Sequence, residues 1–126
     1  MAPVGTAGDG QVARPIAASR PVEDVQITVL DPGTRVALSG RLCAATVSQV
    51  RLALGDAVDA GVGDLVVDLA GVEMGDATGL GVLVGTHRRA LREERRLVLC
   101  DVPKRIERLL AVTRLHRVLS VEQPVA

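Results

Sequence analysis

Leu65-Val66-Val67-Asp68-Leu69 is a short apolar run, and beyond it the apolar positions change period: Leu80, Leu83, Val84 and Leu91 recur at helical spacing. The first run reads as a buried parallel strand and the second as an amphipathic helix. Joined across a loop at 70–78, they form a strand–loop–helix unit that must lay its helix on a sheet. This restricts the fold more than any other feature of the chain. The loop carries Gly75-Asp76-Ala77-Thr78-Gly79, and both Asp76 and Thr78 can satisfy free N–H groups of a first helical turn. The same turn carries a partial positive charge and suits an added phosphate.

The flanking sequence extends the pattern. Val25-Gln26-Ile27-Thr28-Val29 alternates as a half-buried strand does, and Arg35–Ser39 reads as its hairpin partner. Between them, Asp31-Pro32-Gly33-Thr34 is a turn in which proline presets φ and glycine supplies φ > 0. Gly40-Arg41-Leu42-Cys43 closes the hairpin. Val47, Val50, Leu54 and Val58 then place a helix over 45–60, ended by Gly61 and Gly63. After the central helix come a polar connection at 92–96, a buried strand at 97–100, and a helix opened by Pro103 with Ile106, Leu109 and Leu110 inward. Val118, Leu119 and Val121 suggest a short last strand. Residues 1–22, with Pro3, Pro15 and Pro21, read as a mobile tail, leaving 23–126 as one domain.

The order β-β-α-β-α-β-α-β predicts an α/β fold: an N-terminal hairpin, a mixed, mainly parallel sheet of four to five strands, and about three to four helices. In such sheets, partners meet the loops at the carboxyl ends of the strands. Leu42-Cys43, the 70–78 loop and Cys100-Asp101 are expected there together. This shared end would bring the two cysteines, Cys43 and Cys100, near enough for a redox bridge, although unbridged thiols are the cytosolic default.

Composition narrows the function. Lys+Arg and Asp+Glu are 15 each, so no global field argues for nucleic acid or an acidic membrane. The chain has no Phe, Tyr or Trp, which removes the stacking platforms that single-stranded nucleic acid uses. Charge is nevertheless uneven, with a basic excess over residues 86–117. No 18-residue apolar run is present, no signal-peptide core is recognisable, and the expected location is cytoplasmic. Catalytic motifs are nearly absent. His87 and His116 lack metal-ligand spacing and read as packing or surface residues, and there is no Walker loop. Gly79, Gly81 and Gly85 do not follow the dinucleotide fingerprint. They thin one helix face, so that another surface can approach the backbone closely. No catalytic residue, metal or cofactor is expected.

The stretch Asp68-Leu69-Ala70-Gly71-Val72-Glu73-Met74-Gly75-Asp76-Ala77-Thr78-Gly79-Leu80 resembles the signature of the STAS domain, the family of bacterial anti-sigma factor antagonists. The resemblance runs from about Val25 to Val121 and includes Gly40-Arg41-Leu42 and Val112-Thr113-Arg114-Leu115. It implies a partner that is both anti-sigma factor and serine/threonine kinase, with phosphorylation at Thr78. It also implies a partner surface made of Cys43, Asp76, Ala77, Thr78, Gly79, Leu80 and Gly81. Two positions depart from the family pattern: Ala77 stands where a first hydroxyl is usual, and Cys43 where an acidic residue commonly follows Gly-x-Leu. The alternative expectation is a non-switching STAS subunit of a stress-signalling or transporter assembly. A homodimer is compatible with either.

Overall fold

The computed structural model describes residues 24–122. The elements are β1 (Val25–Asp31), β2 (Arg35–Leu42), α1 (Val47–Ala60), β3 (Asp64–Met74), α2 (Thr78–Arg92), β4 (Arg96–Cys100), α3 (Lys104–Val112), a 3-10 turn (Leu115–Arg117) and β5 (Ser120–Val121). This is the expected order. The tail expected at 1–22 lies outside the described residues. Among the described residues no helix is long and apolar enough to cross a membrane.

The five strands lie in chain order across one sheet, with β1–β2 antiparallel and the other pairings parallel. The hairpin turn closes as its residues dictate. Thr34 N–H donates to Asp31 O at 3.0 Å, and Gly33 takes φ +76°, the left-handed position that follows proline in a type II turn. Gly33 is required for a second reason: a Cβ there would stand 2.8 Å from the Ala60 backbone, where the end of α1 rests on the turn.

The core is wholly aliphatic. Leu38, Leu42, Leu65, Leu69, Leu97 and Leu99 of the sheet meet Val50 and Leu54 of α1, Leu83 of α2, and Ile106 and Leu110 of α3. α1 buries Val47, Val50, Leu54 and Val58, as their spacing requires. α2 is rotated from its expected face. Leu91 is 56% exposed, and the buried positions are Leu80, Val82, Leu83, Thr86 and Ala90. The smaller side chains face inward, which lets α2 pack closely, and the Thr86 hydroxyl is satisfied by Val82 O at 2.8 Å. Leu109, expected inside, is 38% exposed, and Val118, expected in the last strand, lies ahead of it and is 49% exposed. α3 is short and offers Ile106 and Leu110 alone to the core, while Val118 ends the 3-10 turn ahead of β5.

β3 is longer than its apolar run. It continues to Met74 because β2 continues beside it to Leu42. Between Ala37↔Asp68 and Ser39↔Gly71 the register slips by one residue on β3, and Ala70 and Gly71 both turn outward. After this bulge Val72 is buried again, so the loop expected at 70–78 shrinks to Gly75–Ala77.

β4 stops much earlier, with Cys100 opposite Asp68. Cys100-Asp101 therefore falls short of the end of β3 by six residues, about 20 Å at ~3.3 Å per residue. Cys100 Sγ lies 3.8 Å from Nη2 of Arg35, the first residue of β2, whereas Cys43 follows its last. Both cysteines are buried and unbridged, and Cys100 lies level with Ala37 partway along β3 while Cys43 lies beyond the last residue of β2, which rules out the bridge between them.

The polar run at 92–96 hides a further departure. Arg95 is 4% exposed. Its guanidinium donates to Ala57 O (2.9 Å) and Val58 O (2.8 Å) in the last turn of α1, to Gly63 O (2.9 Å), and to Gly33 O in the hairpin turn.

Candidate functional site

Two crossover loops leave the sheet side by side. Leu42 pairs with Met74, and Gly75 N–H donates to Leu42 O at 2.7 Å. The first loop is tied down by Thr46, which is 1% exposed. Its hydroxyl donates to Arg41 O at 2.7 Å and accepts from Cys43 N–H at 3.1 Å. Cys43 O in turn accepts from Thr46 and Val47 N–H at 3.0 and 2.9 Å, which starts α1.

Asp76 joins the two loops. Its Oδ2 accepts from Ala44 N–H at 3.1 Å. Its Oδ1 accepts from Thr78 N–H at 2.9 Å and from the Thr78 hydroxyl. Asp76 thus caps α2, in the role foreseen for it, while Ala77 has no side-chain hydrogen bond to offer. The Thr78 hydroxyl, then the Ala44 and Thr78 N–H groups, hold the Asp76 carboxyl below the usual carboxylate range. A carboxylate so stabilised orients the hydroxyl rather than deprotonating it.

The expected surface divides into two layers. Asp76, Ala77, Thr78 and Gly81 are exposed. Cys43, Gly79 and Leu80, expected on the partner surface, point inward instead. Leu80 joins the core, and the Cys43 thiol packs 3.9 Å from the Thr46 hydroxyl. Gly79 must be small, because a Cβ there would lie 3.1 Å from Leu42 Cβ and closer still to Met74 Sδ. Gly81 is the opposite case, with nothing within 4 Å of an added Cβ. Sequence reasoning missed Thr46, although a threonine just ahead of a helical period is an ordinary start signal. It also missed the Ala44 N–H, which no pattern reveals.

Neither histidine belongs to this site. His87 lies nine residues along α2 from Thr78, and its Nδ1 is buried without a hydrogen-bond partner. His116 Nδ1 stands 3.2 Å from Leu110 O. One group of potential metal ligands occurs among the described residues: Asp68, Cys100 and Asp101, with donor atoms within 4.8 Å of one another. The Arg35 guanidinium beside Cys100 opposes a cation there. Burial, then the charge of Asp68, pushes the Cys100 thiol up, towards its protonated form.

A measurable consequence follows from the cap. Because the Asp76 carboxyl is held below its unfolded-state value, its contribution is complete above that value and is lost as pH falls through the lower folded one. Acidification through that window is expected to lower the exchange protection of Ala44 and Thr78, the two N–H groups it holds, relative to their intrinsic rates at each pH. Asp76→Asn should show faster exchange at both sites and no acid-dependent step, as read by amide-resolved NMR.

A five-stranded mixed sheet with an N-terminal hairpin, and a helix N-terminus set beside the ends of two parallel strands, defines a small α/β domain. The chain belongs to the STAS domain family: the family model described as Mlab, STAS domain matches residues 26–121. It is similar to the anti-sigma-B factor antagonists of Staphylococcus aureus and Staphylococcus epidermidis. Each is 30% identical over 100 residues, covering 79% of this chain and 93% of the relative. Among solved structures, an anti-sigma factor antagonist from Mycobacterium paratuberculosis matches with TM-score 0.70 at 24% identity, over 82% of this chain and 88% of the other. The anti-sigma factor antagonist SpoIIAA in its unphosphorylated form matches with TM-score 0.64 at 16% identity, over 81% and 89%. These last two likenesses concern the fold.

Proposed function

We propose that this protein is an anti-sigma factor antagonist controlled by phosphorylation at Thr78, and that it works by binding rather than by catalysis. Unmodified, it holds an anti-sigma factor that is also a serine/threonine kinase, and a sigma factor goes free. The observation that carries this reading is the exposed Thr78 hydroxyl at the first residue of α2, pointed by Asp76 beside an unobstructed Gly81. The names of the staphylococcal relatives support the antagonist role. Ala77, Thr78, Asp76 and Gly81 form the contact surface, with Cys43, Gly79 and Leu80 shaping it from beneath.

Phosphorylation at Thr78 removes the proton that Asp76 accepts and sets nearly two negative charges against its carboxylate. The helix N-terminus offsets part of that repulsion, so the domain stays folded while the docking surface gains negative charge and bulk. A loss of about 3 kcal/mol weakens a complex roughly 150-fold, since each 1.4 kcal/mol is tenfold.

The test is to incubate wild type and Thr78→Ala with the cognate kinase and ATP, then measure phosphate incorporation and binding. Wild type should label and lose affinity, while Thr78→Ala should bind without labelling. Equal labelling of both would exclude Thr78 as the acceptor. Binding of wild type without labelling by any cognate kinase would favour the non-switching subunit, with Ala77 and Cys43 as the residues that set this chain apart from switching relatives.

A further inference from the structure

Thr78, Gly81, Gly85 and Arg92 follow one another along a single stripe of α2. Below Thr78 this stripe forms one wall of a groove against α1, with Gly81 and Gly85 on α2 and Gly55 on α1 leaving it shallow-floored. Its charged side chains are Arg51, Arg89 and Arg92, and no carboxylate lines it. Arg89 lies over Gly55, where a Cβ would stand 2.9 Å from its Nη1, and is paired with Asp59 at 2.6 Å. Arg51 and Arg92 are exposed and have no ion pair or hydrogen bond among the described residues. The chain as a whole is neutral, so this is a local concentration of positive charge.

We propose that this groove receives an acidic segment of the partner protein, laid along α2 from Thr78 to Arg92, a span of about 21 Å at ~1.5 Å per residue. That the partner is the anti-sigma factor rests on the function proposed above. Charge complementarity and access together single out this occupant. Guanidinium groups take carboxylates in paired hydrogen bonds, and Arg51 and Arg92 hold theirs unspent. Gly81 and Gly85 leave the α2 backbone open, so a segment can lie close enough to reach both. The groove also gives the switch a directional logic. A phosphate on Thr78 puts a dianion at the head of the channel that an acidic segment would follow, so repulsion acts on the bound segment itself.

The full chain is titrated by fluorescence anisotropy with a labelled short poly-glutamate peptide and, separately, with the cognate anti-sigma factor. Arg51→Glu/Arg92→Glu should weaken both by about tenfold or more, with a steep dependence on salt. Arg105→Glu/Arg108→Glu on α3 should leave both unchanged. Arg51→Gln/Arg92→Gln, which removes charge without adding any, should fall between wild type and the reversal, and serves if the reversal does not fold. If Gly81→Trp abolishes anti-sigma binding while the Arg51/Arg92 reversal leaves it intact, the acidic-segment inference is overturned and the proposed function stands. If poly-glutamate binds in an Arg51/Arg92-dependent way but no anti-sigma factor binds wild type, the groove assignment holds and the functional reading fails. Poly-glutamate that does not bind, or a single-stranded oligonucleotide that binds in its place, overturns the inference.

Discussion

Arg95→Ala is expected to cost this protein about 3–5 kcal/mol, because it strands several buried backbone carbonyls at about 1–3 kcal/mol each. For a domain of this size, that corresponds to a melting temperature lower by about 10–20 °C. The size of the effect follows from what the side chain holds. Its guanidinium donates to the last turn of α1 at Ala57 and Val58, to Gly63 ahead of β3, and to Gly33 in the hairpin turn. Truncation leaves those carbonyls without their donor, and the bonds to Ala57, Val58 and Gly33 are buried while that to Gly63 is part-buried. Arg95→Lys should recover little, because a single ammonium cannot fan out to carbonyls on three separate segments. Thermal denaturation followed by circular dichroism measures both variants. A melting temperature within a few degrees of wild type for Arg95→Ala would show that water replaces the guanidinium at no great cost.

The second large effect concerns binding alone. Gly81→Trp should weaken the interaction with the proposed anti-sigma partner by about a hundredfold or more, and leave the fold intact. The two halves of this expectation come from the same observation. An added Cβ at residue 81 meets no atom within 4 Å, so the indole projects outward without disturbing the core. Glycine is also a poor helix former, about 0.8–1.0 kcal/mol less favourable than alanine, so the helix loses nothing by the change. Yet Gly81 stands one turn from Thr78 on the same stripe, where the indole would fill the space a docking surface needs. The check is affinity by calorimetry beside a melting curve. Unchanged affinity in the folded variant would move the interface elsewhere on the protein.

What the sequence showed of this molecule is what local chemistry decides. The change of apolar period between Leu69 and Leu80 located β3 and α2, and Asp31-Pro32-Gly33-Thr34 named its own turn, because each feature depends on residues close in sequence. Asp76 was legible as a cap residue for the same reason, whereas Thr78, expected to cap as well, donates its hydroxyl to Asp76 and holds no helix N–H; the family signature drew attention to that hydroxyl. What escaped depends on distant partners. The face that α2 buries is chosen by α1 and the sheet, so Thr86 and Ala90 are inside and Leu91 is out. The length of β3 is set by β2, and its bulge by Ser39 beside Gly71, where a Cβ would come within 2.8 Å of the serine side chain. Arg95 looked like one charge in a polar run. Only the return of the hairpin turn and α1 to the same place gives it carbonyls to bind. The seven residues expected on the partner surface are indeed neighbours, but their division into an exposed and a buried layer requires the direction of each side chain. Sequence spacing does not supply that direction for the loop residue Cys43.

The wide separation of the two thiols has a practical meaning. Each is buried, so a thiol reagent reaches it only when the structure around it opens, and its rate of labelling reads the free energy of that opening. Cys43 lies under the Asp76 loop and Cys100 at the end of β4, level with Ala37, so they act as separate clocks for the Thr78 end of the sheet and for its middle. In a protein with no aromatic side chain, and therefore no intrinsic fluorescence from tryptophan or tyrosine, these clocks take the place of the usual optical probe. A ligand that steadies the Thr78 end slows the first clock and leaves the second running at its own pace.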